Sequence, residues 1–170
     1  MGLEFDVIPS SVNEDFSLQL SAHKFAEYYA QEKAKDVGQE NHNSLVIGAD
    51  TIVVLKNKIL GKPSSYEEAY FMLSSLSGNV HSVITGVSLQ WVQNSISHTF
   101  HSKTEVTLKT LSKEEIEFYI ENYKPYDKAG SYGIQDWFSV CVDKIDGCYF
   151  NVMGLPLNKL YNELETVLKI

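Results

Sequence analysis

The chain has 170 residues, 44% of them hydrophobic, with a formal net charge of −8 and a pI of about 5.1. That is enough apolar material for one substantial core, and a single domain over residues 1–170 is expected. The acidic balance argues against a nucleic-acid backbone binder and against an anionic membrane surface. No run approaches the roughly 18 apolar residues of a membrane span, and the start, Met1-Gly2-Leu3-Glu4-Phe5, lacks the pattern of a signal peptide. Cys141 and Cys148 therefore read as reduced and structural, and a cytoplasmic location is expected. All 14 basic residues are lysines, so any phosphate must be held by lysine, backbone N–H groups or metal, without guanidinium forks.

Taken in chain order, Glu4–Ile8 alternates polar and apolar and predicts a strand ended by Pro9. The polar loop Ser11–Asp15 carries Glu14 and Asp15, whose default reading is solvated acid, with metal ligation as the other. Residues 17–36 have helical spacing, with Phe25, Ala26, Tyr29, Ala30 and Lys33 on one face. A lysine at Lys33 either snorkels to solvent or points into a cleft.

The run Leu45–Leu55 is dense in Val and Ile and predicts a strand buried on both faces. Asp50 sits in its middle. A buried carboxylate needs a partner, whether metal, cation or donor network. Gly48 and Ala49 are small enough for a ligand to approach the backbone. The hairpin Lys56-Asn57-Lys58 folds the chain back, bringing Lys62 towards Asp50. A carboxylate and a lysine converging this way suit a phosphorylated substrate with a divalent cation. Taken alone, the two residues read first as a strand-breaking acid and a surface cation.

Ser65 with Glu68 predicts a capped helix with Ala69, Met72, Leu73 and Leu76 inward. Val80–Val92 predicts a strand interrupted near Thr85-Gly86, and His98–Leu108 its partner. His81, His98 and His101 read as solvent-face or satisfied histidines, not ligands. Ser112 with Glu115 predicts a second capped helix through about Glu121, burying Ile116, Tyr119 and Ile120. The loop from Lys124 to Asp136 holds two glycines, two aromatics, an Asp-Lys pair and Gln135. It is richer than a connector needs, and can offer backbone donors and an amide to a small ligand; a tightly folded turn with exposed Asp127 and Lys128 is the plainer reading. Trp137–Ile145 predicts a strand, Asp146-Gly147 a hairpin turn, and Cys148–Val152 the return strand. Leu157, Leu160, Tyr161, Leu164 and Leu168 mark a last helix. Helices and strands interleave, so the fold class is α/β with a mixed sheet and flanking helices.

Several segments together resemble the Maf family of nucleoside triphosphate pyrophosphatases. They are Gly48-Ala49-Asp50-Thr51, Gly61-Lys62-Pro63, Leu76-Ser77-Gly78, Thr85-Gly86-Val87, Asp127-Lys128-Ala129-Gly130-Ser131-Tyr132-Gly133-Ile134-Gln135 and Asn151–Leu157, in the family's order and spacing. The resemblance implies an elongated fold related to inosine triphosphatases, with a cleft between two lobes. It implies Mg²⁺- or Mn²⁺-dependent cleavage of a nucleoside triphosphate to the monophosphate and pyrophosphate. By resemblance, Asp50 is the proton acceptor and a metal ligand, Glu14 the second metal carboxylate, and Lys33 and Lys62 the catalytic lysines. Asp127, Lys128 and Gly130 line the site, and Thr51 and Gln135 set base choice. The Asp-Lys-Ala-Gly and Gly-Ile-Gln pieces are similar to the branch acting on dTTP and UTP; the sister branch prefers 7-methyl-GTP. A homodimer is also implied. Family members begin with a strand and a Ser-x-Ser-Pro-Arg-Arg loop, a phosphate cradle that precedes the segment equivalent to Gly2–Phe5. Against that pattern roughly 20 residues are expected ahead of Met1. A chain working without the cradle would be a weak or inactive nucleotide-binding paralogue.

Overall fold

The apolar run around Asp50 forms the strand that the sheet is built on. In the computed structural model, which describes residue 2 and residues 4–169, it is β1, Val46–Leu55. Lys56 and Asn57, both at positive φ, turn the chain tightly into β2, Lys58–Leu60, which pairs antiparallel with Val53↔Leu60 and Leu55↔Lys58 in register. β3, Val80–Trp91, and β4, Ile96–Leu108, form a long hairpin, and β5, Val142–Asp146, pairs antiparallel with β4. The strand order is β2-β1-β3-β4-β5. Helices α1 (Ala22–Gly38), α2 (Tyr66–Leu76), α3 (Lys113–Tyr123), α4 (Tyr149–Val152) and α5 (Leu157–Leu168) complete the α/β architecture. Among the described residues no helix is long and apolar enough to cross a membrane.

The chain folds as two compact units. One comprises the chain up to Asp50, Thr85–Ser102 and the chain from Gly154; the other comprises Thr51–Ile84 and Lys103–Met153. Each has its own core. In the first, Val87, Leu89 and Phe100 of the sheet pack against Leu160 and Leu164 of α5. In the second, Leu73 and Leu76 of α2 and Ile116, Tyr119 and Ile120 of α3 close over Val83, Val106 and Leu108. Full burial of each such Leu or Ile stabilises by about 1.5–3 kcal/mol.

Both capped helices form where their Ser-x-x-Glu signals stand. Ser112 and Glu115 make a complete reciprocal box, and the buried face of α3 is Ile116, Tyr119 and Ile120. In α2, Ser65 accepts from Glu68 N, but the Glu68 carboxylate reaches one residue further back, to Ser64 N and Oγ. Its buried face is Ala69, Met72, Leu73 and Leu76.

Four expectations are corrected. Glu4–Ile8 forms no strand: residues 4–15 have no regular structure, and Phe5 and Val7 are largely exposed. Alternation makes a strand only where a neighbour takes up its backbone hydrogen bonds. β3 runs uninterrupted through Thr85-Gly86. Trp137–Cys141 is a 3₁₀ segment, so β5 begins only at Val142. Cys148–Val152 is not a return strand. Thr104 Oγ1 accepts from Cys148 N, and buried Asn151 donates to Val83 O and Thr104 Oγ1, winding the segment into α4. The two cysteines are free, Cys141 buried and Cys148 half-buried.

Candidate active site

The first unit gathers Glu14, Lys33 and Asp50. α1 lies close on the sheet because small residues face small residues. A Cβ at Gly48 would stand 2.4 Å from Ala30 O, and one at Gly86 would stand 2.2 Å from Ala26 O. Asp50 is two residues beyond Gly48 and so on the same face of β1. Lys33, one turn beyond Ala30 on α1, reaches it: Lys33 Nζ donates to Asp50 Oδ1 at 2.6 Å and to Glu14 Oε1 at 2.7 Å. Lys33 therefore turns inward onto Asp50 and Glu14 and does not snorkel to solvent.

Glu14 is carried by a loop without secondary structure, but the loop is pinned to α1. Asp36 accepts from Ser11 N at 2.7 Å and from Ser10 Oγ at 2.9 Å, and Asp15 N donates to the Tyr29 hydroxyl. Asp36 was not singled out by sequence, and Tyr29 was read only as a position on the inward face of the helix. Their partners lie 14 to 26 residues away, and no local pattern marks them.

Electrostatically the cluster is poised. Asp50 is 4% exposed, and burial pushes its carboxyl up to about 6; Lys33 opposes that shift and Glu14 adds to it. Burial also works against the Lys33 charge, but Asp50 and then Glu14 outweigh it and hold the ammonium above its ordinary value. Asp50 Oδ2 is buried and has no hydrogen-bond partner. An orphaned carboxylate oxygen beside a second carboxylate fits a divalent cation. Among the described residues no group of three or more His, Cys, Asp or Glu makes an all-protein metal site. Two carboxylates, with the other positions left to phosphate and water, is the coordination Mg²⁺ favours.

The second unit gathers the other candidates. Gly130 N donates to Gly61 O at 3.0 Å, which holds the 127–136 loop against Gly61-Lys62-Pro63. Gly130 has φ +68°, and a Cβ there would stand 2.9 Å from the Val53 side chain, so only glycine fits. Lys62 is exposed. Asp127 pairs with Lys128 at 2.8 Å, and that pairing, with Lys62 adding to it, holds the Asp127 carboxyl below its usual range. Thr51 is half-buried, and Gln135 is exposed between buried Ile134 and half-buried Asp136. His98 and His101 are satisfied by Glu163 and Glu27, each at 2.7 Å. His81 is buried rather than solvent-facing, with Nε2 2.7 Å from the Tyr132 hydroxyl.

The "Maf-like protein" family model matches residues 1–167. The chain belongs to the Maf family. Its relatives point the same way. A dTTP/UTP pyrophosphatase of Bacillus pumilus is 46% identical over 165 residues, covering 97% of this chain and 86% of the relative. One of Thermosipho africanus is 47% identical, covering 95% and 82%, and one of Cytophaga hutchinsonii 45% identical, covering 96% and 75%. The segments Gly48–Thr51, Gly61–Pro63 and Asp127–Gln135, on which the family resemblance was read, contain Asp50, Lys62 and Gln135 of the candidates above.

Proposed function

We propose that this Maf protein hydrolyses dTTP and UTP to the nucleoside monophosphate and pyrophosphate. The observation that carries the site is Asp50: a carboxylate buried in an apolar strand, held by Lys33, with one oxygen left unpaired. Glu14 and Asp50 would hold the divalent cation, Mg²⁺ or Mn²⁺, and when bound it would offset the negative charge gathering on the triphosphate.

Asp50 takes the proton of the attacking water as its oxygen bonds to the α-phosphorus and the bond to the bridging oxygen breaks, releasing pyrophosphate. A proton acceptor works best with a pKa near the working pH, and burial has moved Asp50 in that direction. Lys33 fixes the carboxylate's orientation, and Lys62 and Lys128 supply positive charge for the phosphates. The Gln135 amide both donates and accepts, which suits a pyrimidine edge, and Thr51 shares in base choice. The enzyme is read as a cytoplasmic homodimer, a state that light scattering would reveal as twice the chain mass.

With Mg²⁺ or Mn²⁺ the purified protein should release pyrophosphate from dTTP and UTP. Asp50→Asn should cut turnover by at least ~10²-fold with the fold retained. Equal turnover in wild type and variant would remove Asp50 from the reaction.

A further inference from the structure

Tyr119 lies fully buried on α3, and by position it is an ordinary core aromatic. Its ring packs on Phe138 and Tyr123, with centroids 4.8 and 5.1 Å away. For that packing a phenylalanine would serve as well. The hydroxyl has a separate task. It accepts from Gly133 N at 3.0 Å and donates to Asp136 Oδ2 at 2.9 Å. Those two contacts stand on either side of Ile134-Gln135. Asp136 Oδ1 also accepts from Phe138 N at 3.0 Å, which holds the far end of the segment. Ile134 is buried at 5% exposure, so the backbone between the two clasped residues has one side anchored in the core while Gln135 faces out. Just upstream, the Tyr132 hydroxyl meets buried His81.

We infer that Tyr119 is a positioning residue for base selection: its one hydroxyl ties residues 133 and 136 together and so fixes the direction in which Gln135 is presented to the pyrimidine. The inference rests on the reading that Gln135 meets the base. An amide discriminates between bases only if its two ends meet the base edge at fixed angles, because hydrogen bonds weaken steeply off axis. A loop free to swing would let the amide follow whichever base arrived. Selectivity would fall with little effect on the phosphate chemistry.

The experiment compares Tyr119→Phe, Gln135→Ala and the double variant on dTTP, dCTP and dGTP. Tyr119→Phe should lower the preference for dTTP by roughly 3- to 10-fold, through KM more than kcat. Amide exchange at Gly133 should also quicken. Gln135→Ala should abolish the preference, and adding Tyr119→Phe to it should change selectivity no further. If Gln135→Ala leaves the preference intact, the reading of Gln135 fails. If Gln135→Ala abolishes it but Tyr119→Phe does not alter it, or slows all three nucleotides equally, Tyr119 is only a core residue and the inference is overturned. Should Tyr119→Phe not fold, Asp136→Ala opens the same clasp from the loop side. Unchanged preference in that folded variant overturns the inference too.

Discussion

The two units bury polar groups in opposite ways. In the first, a cation lies between two carboxylates, and one oxygen of the buried one is left over. In the second, the buried polar side chains under the loop, His81, Tyr119 and Tyr132, are uncharged, and the Asp136 carboxylate that Tyr119 meets is only half-buried. Burial pushes His81 down to about 4, so it is neutral near pH 7, and raises the phenols of Tyr119 and Tyr132 well above their usual range. The Tyr119 hydroxyl is used in both directions. On the proposed reading the first network takes up a metal and phosphate, and it keeps charge and unused acceptor capacity for them. A network that only holds a loop can keep its fully buried members neutral, and neutral groups avoid the large desolvation cost of ions.

That contrast breaks most visibly at Lys33. Lys33→Met would leave Asp50 buried beside Glu14 with no counter-charge. At pH 8 the loss should be about 3–4 kcal/mol, below the top of the range for broken buried pairs because the Lys33 side chain keeps 23% exposure. Near pH 5 the variant's Asp50 takes a proton and the loss should shrink to roughly half. Urea unfolding at the two pH values checks it; an equal loss at both would mean that Asp50 keeps one charge state from pH 5 to pH 8.

His81 sharpens the comparison through the sign of its pH dependence. Its folded pKa lies below its unfolded 6.5, so the unfolded chain binds the proton first. The stability it contributes is complete above pH 6.5 and is lost as pH falls towards 4, by up to ~3 kcal/mol. Asp50 runs the other way: its pKa is raised from 3.8, so its contribution is present at low pH and is lost as pH rises through about 6. His81→Gln, which does not titrate, should flatten the acid limb of the melting curve between pH 6.5 and 4. Asp50→Asn should steepen it.

How far the sequence revealed this depended on how local each signal was. Helices α2 and α3 and their buried faces were legible because caps and 3.6-residue spacing lie within a few residues of each other. The segment 148–152 was misread because its form is decided by Cys148 and Asn151 bonding Thr104, 44 and 47 residues away. Gly86 looked like a break in a strand, yet its role is to let the α1 backbone approach. In the candidate site, Asp50 stood out because a charge in an apolar run needs an explanation. By its spacing alone Lys33 was visible only as a position on a helix face; its place in a site came from the family resemblance. Tyr119 was read correctly as buried, but an apolar pattern carries no information on where a hydroxyl points.

The smallest effect is expected at Ser131, next to Gly130 in the same loop. Ser131 is fully buried, at φ +66°, and its hydroxyl has no partner. Serine and alanine are both strained at that φ, so Ser131→Ala leaves the backbone cost in place. What it removes is a hydroxyl desolvated without compensation. The gain in stability should be about 0.5–1 kcal/mol, reduced from the full desolvation cost by the small void left behind. Preference among nucleotides should not change, because the Ser131 hydroxyl makes no hydrogen bond to the groups that Tyr119 holds. Thermal melts of Ser131→Ala against wild type decide it. A loss of stability would mean that the hydroxyl has found a partner, and the second unit would then hold its loop with one more bond than Tyr119 and His81 supply.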